Sequence, residues 1–241
     1  MNSLKNKTAL ITGGTKGIGY AIALSLLNEG INVVITSRNQ SSATKAANVL
    51  NANIKTNARA IGIEADVKSF ISQQKAVEET LKHFKQLDIV IANAGLGHFA
   101  SIEDLTLEQW QETIDTNLTG VFYSIKSSVE ALKITEGYFI TISSLAGTNF
   151  FAKGSAYNAS KFGVTGFTQA VMLDLRQHNI KVSTIMPGSV ATHFNGKTPS
   201  ESDAWKIQGE DIGELVVDLL RMNPRTLPSK IEVRPTMPPS K

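Results

Sequence analysis

The chain has no cysteine in its 241 residues, which excludes disulfides and thiolate chemistry. No apolar run approaches the ~20 residues that a membrane helix needs. The segment Met1-Asn2-Ser3-Leu4-Lys5-Asn6-Lys7 leads straight into a strand-like pattern, without the apolar centre of a signal peptide. The expectation is a cytoplasmic protein with no membrane partner. The four histidines, His83, His98, His178 and His193, lack metal-ligand spacing, so no metal is expected. The formal net charge is +3, but the cations are scattered and no aromatic-studded basic stripe suits nucleic acid. One absence is local. No acidic residue stands between Glu29 and Glu64, while Arg38, Lys45, Lys55 and Arg59 fall inside that gap. Such a stretch favours an anionic ligand.

What the chain does have is alternation. Short β-rich runs recur at Thr8 to Thr12, Asn32 to Thr36, Ala58 to Ile63, Leu87 to Ile91, Tyr138 to Ile142 and Lys181 to Ile185, with a last one at Lys230 to Val233. Helical patterns separate them, at Ile18 to Asn28 and near 41–52, 69–86, 107–132, 155–178 and 209–222. Strands alternating with helices predict a parallel sheet, and runs apolar on both faces predict helices covering it on each side. The expected architecture is α/β: one doubly wound, Rossmann-type domain over residues 1–241. A segment at 192–209 in which Ser, Thr, Asn, Asp, Gly and Pro dominate reads as a mobile loop, and the tail 235–241 as extended chain.

The first strand ends in Thr12-Gly13 and the chain reopens as a helix at Gly17-Ile18-Gly19. That puts backbone amides and a helix N-terminus where a pyrophosphate can bind. Glycines are needed because side chains would hold the phosphates away. The second strand then selects the cofactor. An acid at its end binds the ribose hydroxyls of NAD, but here Ser37 is followed by Arg38. A guanidinium binds a 2′-phosphate through paired, charge-assisted hydrogen bonds. NADP(H) is the expected cofactor.

Tyr157 and Lys161 stand four apart in a helical segment, so their Cβ atoms lie on one face, about 5–6 Å apart. A free tyrosine titrates near pH 10, and bringing it to neutrality takes roughly 4 kcal/mol of differential stabilisation. A neighbouring ammonium supplies part of this by favouring the phenolate.

Taken together, Thr12-Gly13-Gly14-Thr15-Lys16-Gly17-Ile18-Gly19, Ser155-Ala156-Tyr157-Asn158-Ala159-Ser160-Lys161 and Pro187-Gly188-Ser189-Val190-Ala191-Thr192 resemble the short-chain dehydrogenase/reductase family. The resemblance runs from about residue 7 to 233. It implies hydride transfer between a dinucleotide and a carbonyl or alcohol, with a tetrad of Asn117, Ser144, Tyr157 and Lys161. In that reading Tyr157 is the acid/base and Ser144 holds the substrate oxygen. Lys161 supports the phenolate and the nicotinamide ribose, and Asn117 helps place a relay water. Lys16 resembles a second basic residue of NADP-preferring members. Thr15 belongs to the glycine turn, Asp66-Val67 would meet adenine, and Asn93-Ala94-Gly95 resemble a signature beside the cofactor. Pro187, Gly188, Val190 and Thr192 would hold the carboxamide. The resemblance also implies a homotetramer or homodimer formed by the two longest helices.

The 3-oxoacyl-carrier-protein reductases are near relatives in length and motifs, but their Val-Asp/Asn-Gly-Gly ending is replaced here by Ile231-Glu232-Val233-Arg234-Pro235. A non-catalytic NADP(H) sensor or scaffold is the alternative from another class, and an intact tetrad argues against it. Phe150, Phe151, Phe194 and Trp205 are candidate pocket walls with ordinary packing as the equal alternative. His98 stands on the same footing.

Overall fold

Seven short runs rich in β-branched residues form one parallel sheet in the computed structural model, which describes residues 4–237. The strands are β1 (Thr8–Ile11), β2 (Asn32–Ser37), β3 (Ala60–Glu64), β4 (Ile89–Ala92), β5 (Tyr138–Ile142), β6 (Lys181–Pro187) and β7 (Lys230–Val233). Their order is β3-β2-β1-β4-β5-β6-β7. The helices are α1 (Gly17–Asn28), α2 (Gln40–Ala52), α3 (Phe70–Phe84), α4 (Leu107–Ile114), α5 (Gly120–Thr135), α6 (Ser155–Leu175) and α7 (Gly209–Arg221). This is a Rossmann-like α/β fold with helices on both faces of the sheet.

The two-residue period of the strands decides which side chain enters which layer. Ala9, Ile11, Val33, Ile35, Ile89, Ile91 and Ile140 pack with Ile22, Leu26 and Leu27 of α1, Leu50 of α2, and Ile212 and Val216 of α7. Their neighbours Leu10, Val34, Val90 and Phe139 pack on the other side with Val77 of α3, Val121 and Ile125 of α5, and Val164 of α6. Because β1 pairs with both β2 and β4, strand order reverses there. The crevice beyond the C-terminal ends of β1 and β4 is where ligands bind in such sheets.

The structure departs from the sequence reading at several places, and the fourth strand begins at Ile89 rather than Leu87. The helix expected over 107–132 is interrupted: α4 and α5 are joined by a π turn, Asp115–Thr119. Such bulges often sit at functional sites, and this one carries Asn117. The third strand begins at Ala60 rather than Ala58. The amides of Ala58 and Arg59 are occupied by Thr56 Oγ1 at 3.3 Å and Asn32 Oδ1 at 3.0 Å. The segment 192–209 is not featureless. It holds short 3₁₀ turns at Phe194–Gly196 and Glu201–Asp203. A Val190–Ile207 bridge closes its base, with Ala191 N donating to Ile207 O at 2.9 Å and Ile207 N to Ser189 O at 3.1 Å. Its polar composition reflects turn chemistry. Pro235 to Met237 of the tail lie outside helix and strand. The reading of Met1 to Ser3, and of the tail from residue 238 on, lies outside the described residues.

Candidate active site

A cleft of about 780 Å³ opens at the strand reversal. It is lined by Gly13, Thr15, Lys16, Gly17 and Ile18 from the glycine turn, by Ser37 and Arg38 after β2, and by Asp66 and Val67 after β3. Asn93, Ala94 and Gly95 after β4, and Pro187, Gly188, Val190 and Thr192 at the end of β6, complete that wall. Ser144, Tyr157 and Lys161 line the same cleft. Of the tetrad and cofactor candidates, only Gly19 and Asn117 are not part of the lining. A Cβ on Gly19 would come to 2.5 Å from Asn93 Nδ2, so this glycine lets the turn and the β4 loop close on each other.

Local hydrogen bonds explain the shape of the turn. Asn93 Nδ2 donates to Thr12 O at 2.9 Å and Gly13 O at 3.1 Å. Thr12 Oγ1 accepts from the amides of Asn93 at 3.0 Å and Ala94 at 3.1 Å. The ends of β1 and β4 are thus clamped together. Gly13 and Gly17 have φ of 65° and 58°, a conformation that costs glycine least. Where α2, α3 and α4 each begin with a side-chain cap from Asn39, Ser69 or Thr106, α1 begins at Lys16 with none. No acid stands in its first turn. Its positive end is left for an anion at the cleft. These residues fit a dinucleotide: a glycine cradle for the pyrophosphate, with Lys16 and Arg38 beside the adenosine end.

The tetrad is drawn from three elements: the π turn for Asn117, the end of β5 for Ser144, and α6 for Tyr157 and Lys161. Lys161 is buried, 5% exposed, and its Nζ donates to Ile142 O at 3.0 Å. The ammonium sits 5.7 Å from the centre of the Tyr157 ring. Burial lowers Lys161 from its ordinary value to about 8. Ser144 Oγ accepts from Ala146 N at 3.1 Å, which holds the hydroxyl at the end of β5. Asn117 is fully buried in the π turn. Its Oδ1 accepts from Leu96 N at 2.9 Å, and its Nδ2 donates to Leu96 O at 2.8 Å and Ser160 Oγ at 3.0 Å. It ties the loop after β4 to the helix of Tyr157.

Burial raises the Tyr157 hydroxyl above the ordinary phenol value, and the hydrogen bond to Ser144 opposes this more weakly. The neighbouring lysine does not by itself bring the phenol to neutrality, because burial acts on both groups.

The uncertain aromatics separate cleanly. Phe194 lines the cleft, and its ring centre lies 5.9 Å from that of Tyr157. Phe150 and Trp205 are not part of the lining. Phe150 points outward, 86% exposed. Phe151 lies one ring further out, 5.9 Å from Phe99. His98 is turned to Glu112, Nε2 to Oε2 at 2.9 Å, rather than to the cleft. Among the lining residues that the sequence reading did not single out are Phe99 and Lys68. Phe99 meets Tyr157 edge-on at 5.3 Å. No motif marks a lone Phe in a loop, and Lys68 reads as a surface cation until the fold brings it to the cleft. Among the described residues no group of acids and histidines could hold a metal, and no helix is long and apolar enough to cross a membrane.

The sheet, the glycine turn and the Tyr157–Lys161 pair define an oxidoreductase working between alcohols and carbonyls. The chain belongs to the short-chain dehydrogenase family, whose model matches residues 7–203. It is 34% identical over 223 residues to a trans-4-hydroxycyclohexanecarboxylate dehydrogenase of Sinomonas cyclohexanicum, covering 88% of this chain and 85% of that one. It is 36% identical over 203 residues to a 3-oxoacyl-[acyl-carrier-protein] reductase of Synechocystis, covering 83% and 81%. Among solved structures, an alcohol dehydrogenase of the archaeon Thermococcus sibiricus complexed with 5-hydroxy-NADP superposes with a TM-score of 0.89. The two are 26% identical, over 98% of this chain and 99% of that one.

Proposed function

We propose that this protein is an NADP(H)-dependent oxidoreductase that interconverts a ketone or aldehyde with its alcohol, within one catalytic domain. The observation that carries the reading is the convergence of Ser144, Tyr157 and Lys161 on the cleft that also displays Gly13, Gly17, Lys16 and Arg38. When bound, the dinucleotide supplies a hydride to the carbonyl carbon. Ser144 holds the carbonyl oxygen by a hydrogen bond. Tyr157 gives its hydroxyl proton to that oxygen, and the phenolate so formed is stabilised by the buried ammonium of Lys161. Asn117 spends its side-chain amide on Leu96 and Ser160, so it fixes geometry, and a relay water would be met by main chain.

The two directions respond oppositely to pH. A phenol kept protonated by burial is ready to donate, so carbonyl reduction is expected to be fastest below about pH 8, where Lys161 also keeps its proton. Alcohol oxidation needs the phenolate as base and should rise as pH increases. Initial rates of NADPH oxidation with carbonyls and NADP⁺ reduction with alcohols, from pH 6 to 10, check this. A protein that binds NADPH but oxidises it with no ketone, aldehyde, quinone, sugar or 3-oxoacyl thioester would refute turnover and favour a sensor. The 3-oxoacyl reading draws support from the Synechocystis relative. The edge strand β7, Lys230–Val233, carries a different ending.

We also propose that the working form is a homodimer or homotetramer, in the cytoplasm. On α5 and α6 the residues Phe122, Phe162 and Leu173 are 44%, 44% and 55% exposed, an apolar face that a second copy would cover. Multi-angle light scattering at micromolar concentration should give two or four times the monomer mass. A monomer peak alone would overturn the proposal.

A further inference from the structure

The reacting oxygen has a conspicuously apolar setting. Tyr157 is flanked by Phe99 on the loop after β4, edge-on at 5.3 Å, and by Phe194 on the loop after β6, tilted at 5.9 Å. Phe151, on the loop after β5, extends the same wall through Phe99 at 5.9 Å. Three separate loops therefore send an aromatic ring to one place. Gly97 makes the convergence possible: a Cβ there would meet the ring tips of Phe99 at 2.8 Å and Phe194 at 3.1 Å. Phe99 and Phe151 are nonetheless 45% and 47% exposed. Large rings standing half in solvent around a cleft mark a surface completed by a ligand. The charges on the same side of the cleft are engaged with each other. Lys206 is ion-paired with Asp203, and Lys197 also acts on that carboxylate. The charged group next to the Tyr157 ring is Lys161, whose burial leaves it no reach to a substrate's periphery.

From this we infer that the substrate is a ketone, or its secondary alcohol, whose carbonyl carrier is an apolar aromatic or alicyclic ring, seated among Phe99, Phe151 and Phe194. The inference rests on the alcohol–carbonyl reading of the Tyr157 site and narrows it. Flat apolar groups gain from offset or edge contacts with such rings beyond the area they bury. A polyhydroxylated or short polar carbonyl would desolvate its hydroxyls against the three rings without partners. The three phenylalanines are then specificity-determining residues, and Tyr157 keeps the chemistry.

The test compares acetophenone and cyclohexanone with acetaldehyde, glyceraldehyde and acetoacetyl-pantetheine, in wild type and in Phe99→Ala and Phe194→Ala. Binding is read by saturation-transfer NMR and turnover as kcat/KM. The ring ketones are expected to bind and to lead in kcat/KM by roughly tenfold or more, as burial of one apolar ring would give. Each variant should erase most of that lead, read as the ratio of ring-ketone to acetaldehyde kcat/KM within one variant, since the ratio cancels any displacement of Tyr157. Equal or better turnover of glyceraldehyde or the thioester would overturn the inference and leave the tetrad standing. Ring ketones that bind in a Phe99-dependent way without turnover would instead overturn the catalytic reading and leave the pocket standing. Ring ketones that neither bind nor react would overturn the inference outright.

Discussion

Replacing Tyr157 with Phe is expected to lower kcat by about 10²- to 10⁴-fold, the contribution of a positioned general acid or base. The affinity for NADPH should scarcely change. The substitution removes one oxygen and keeps the ring, whose packing against Phe99 and Phe194 at 5.3 and 5.9 Å is unaltered. The effect therefore falls on the step in which a proton moves. Lys161→Ala should be worse in both respects. It empties a buried site, deprives Ile142 O of its donor at 3.0 Å, and removes the charge that stabilises the phenolate. Steady-state kinetics together with NADPH titration by fluorescence distinguish the two variants. A Tyr157→Phe enzyme with near-normal kcat would remove the tyrosine from the mechanism.

The second large effect concerns the choice of dinucleotide. Arg38 and Lys16 both line the cleft, with Ser37 at the end of β2, where an acid would bind a free ribose. A hydrogen bond to a charged partner contributes about 1.5–3 kcal/mol, so Arg38→Ala should weaken NADPH binding roughly ten- to a hundredfold. NADH never uses that contact and should bind nearly as before. Ser37→Asp combined with Arg38→Ala should reverse the preference, because a carboxylate accepts from ribose hydroxyls and repels the 2′-phosphate. The measurement is kcat/KM for both cofactors in wild type and variants. A wild-type enzyme that prefers NADH would overturn the roles given to Arg38 and Lys16, with the tetrad unaffected.

Much of the architecture is legible in the chain because the sheet is buried on both faces. Strands such as Ile89–Ala92 and Tyr138–Ile142, buried throughout, read as continuous apolar runs that few other structures explain. The glycine turn and the Tyr157–Lys161 spacing are equally visible, since each is a local pattern fixed by backbone or helix geometry. What escapes is whatever depends on tertiary neighbours. The π turn at Asp115–Thr119 leaves no compositional trace, because its register is held by the bonds Asn117 makes to Leu96 and Ser160. Phe99 becomes a wall of the site only when the loop after β4 meets the loop after β6. Phe150 and Phe151, adjacent in sequence, part company for the same reason: one turns outward and the other onto Phe99. The direction of the Tyr157 shift was likewise out of reach, since burial, its largest cause, is a property of the folded pocket.

The central claim is that this site transfers a hydride under the control of Tyr157. It is tested most directly by following deuterium from NADPH labelled at the nicotinamide C4 into product, for wild type and Tyr157→Phe at equal cofactor saturation. With a carbonyl compound that the wild-type protein consumes, the label is expected on the carbinol carbon, and the variant should form that product at least about a hundredfold more slowly. Label absent from the carbinol carbon, or transferred equally fast by Tyr157→Phe, would contradict the account.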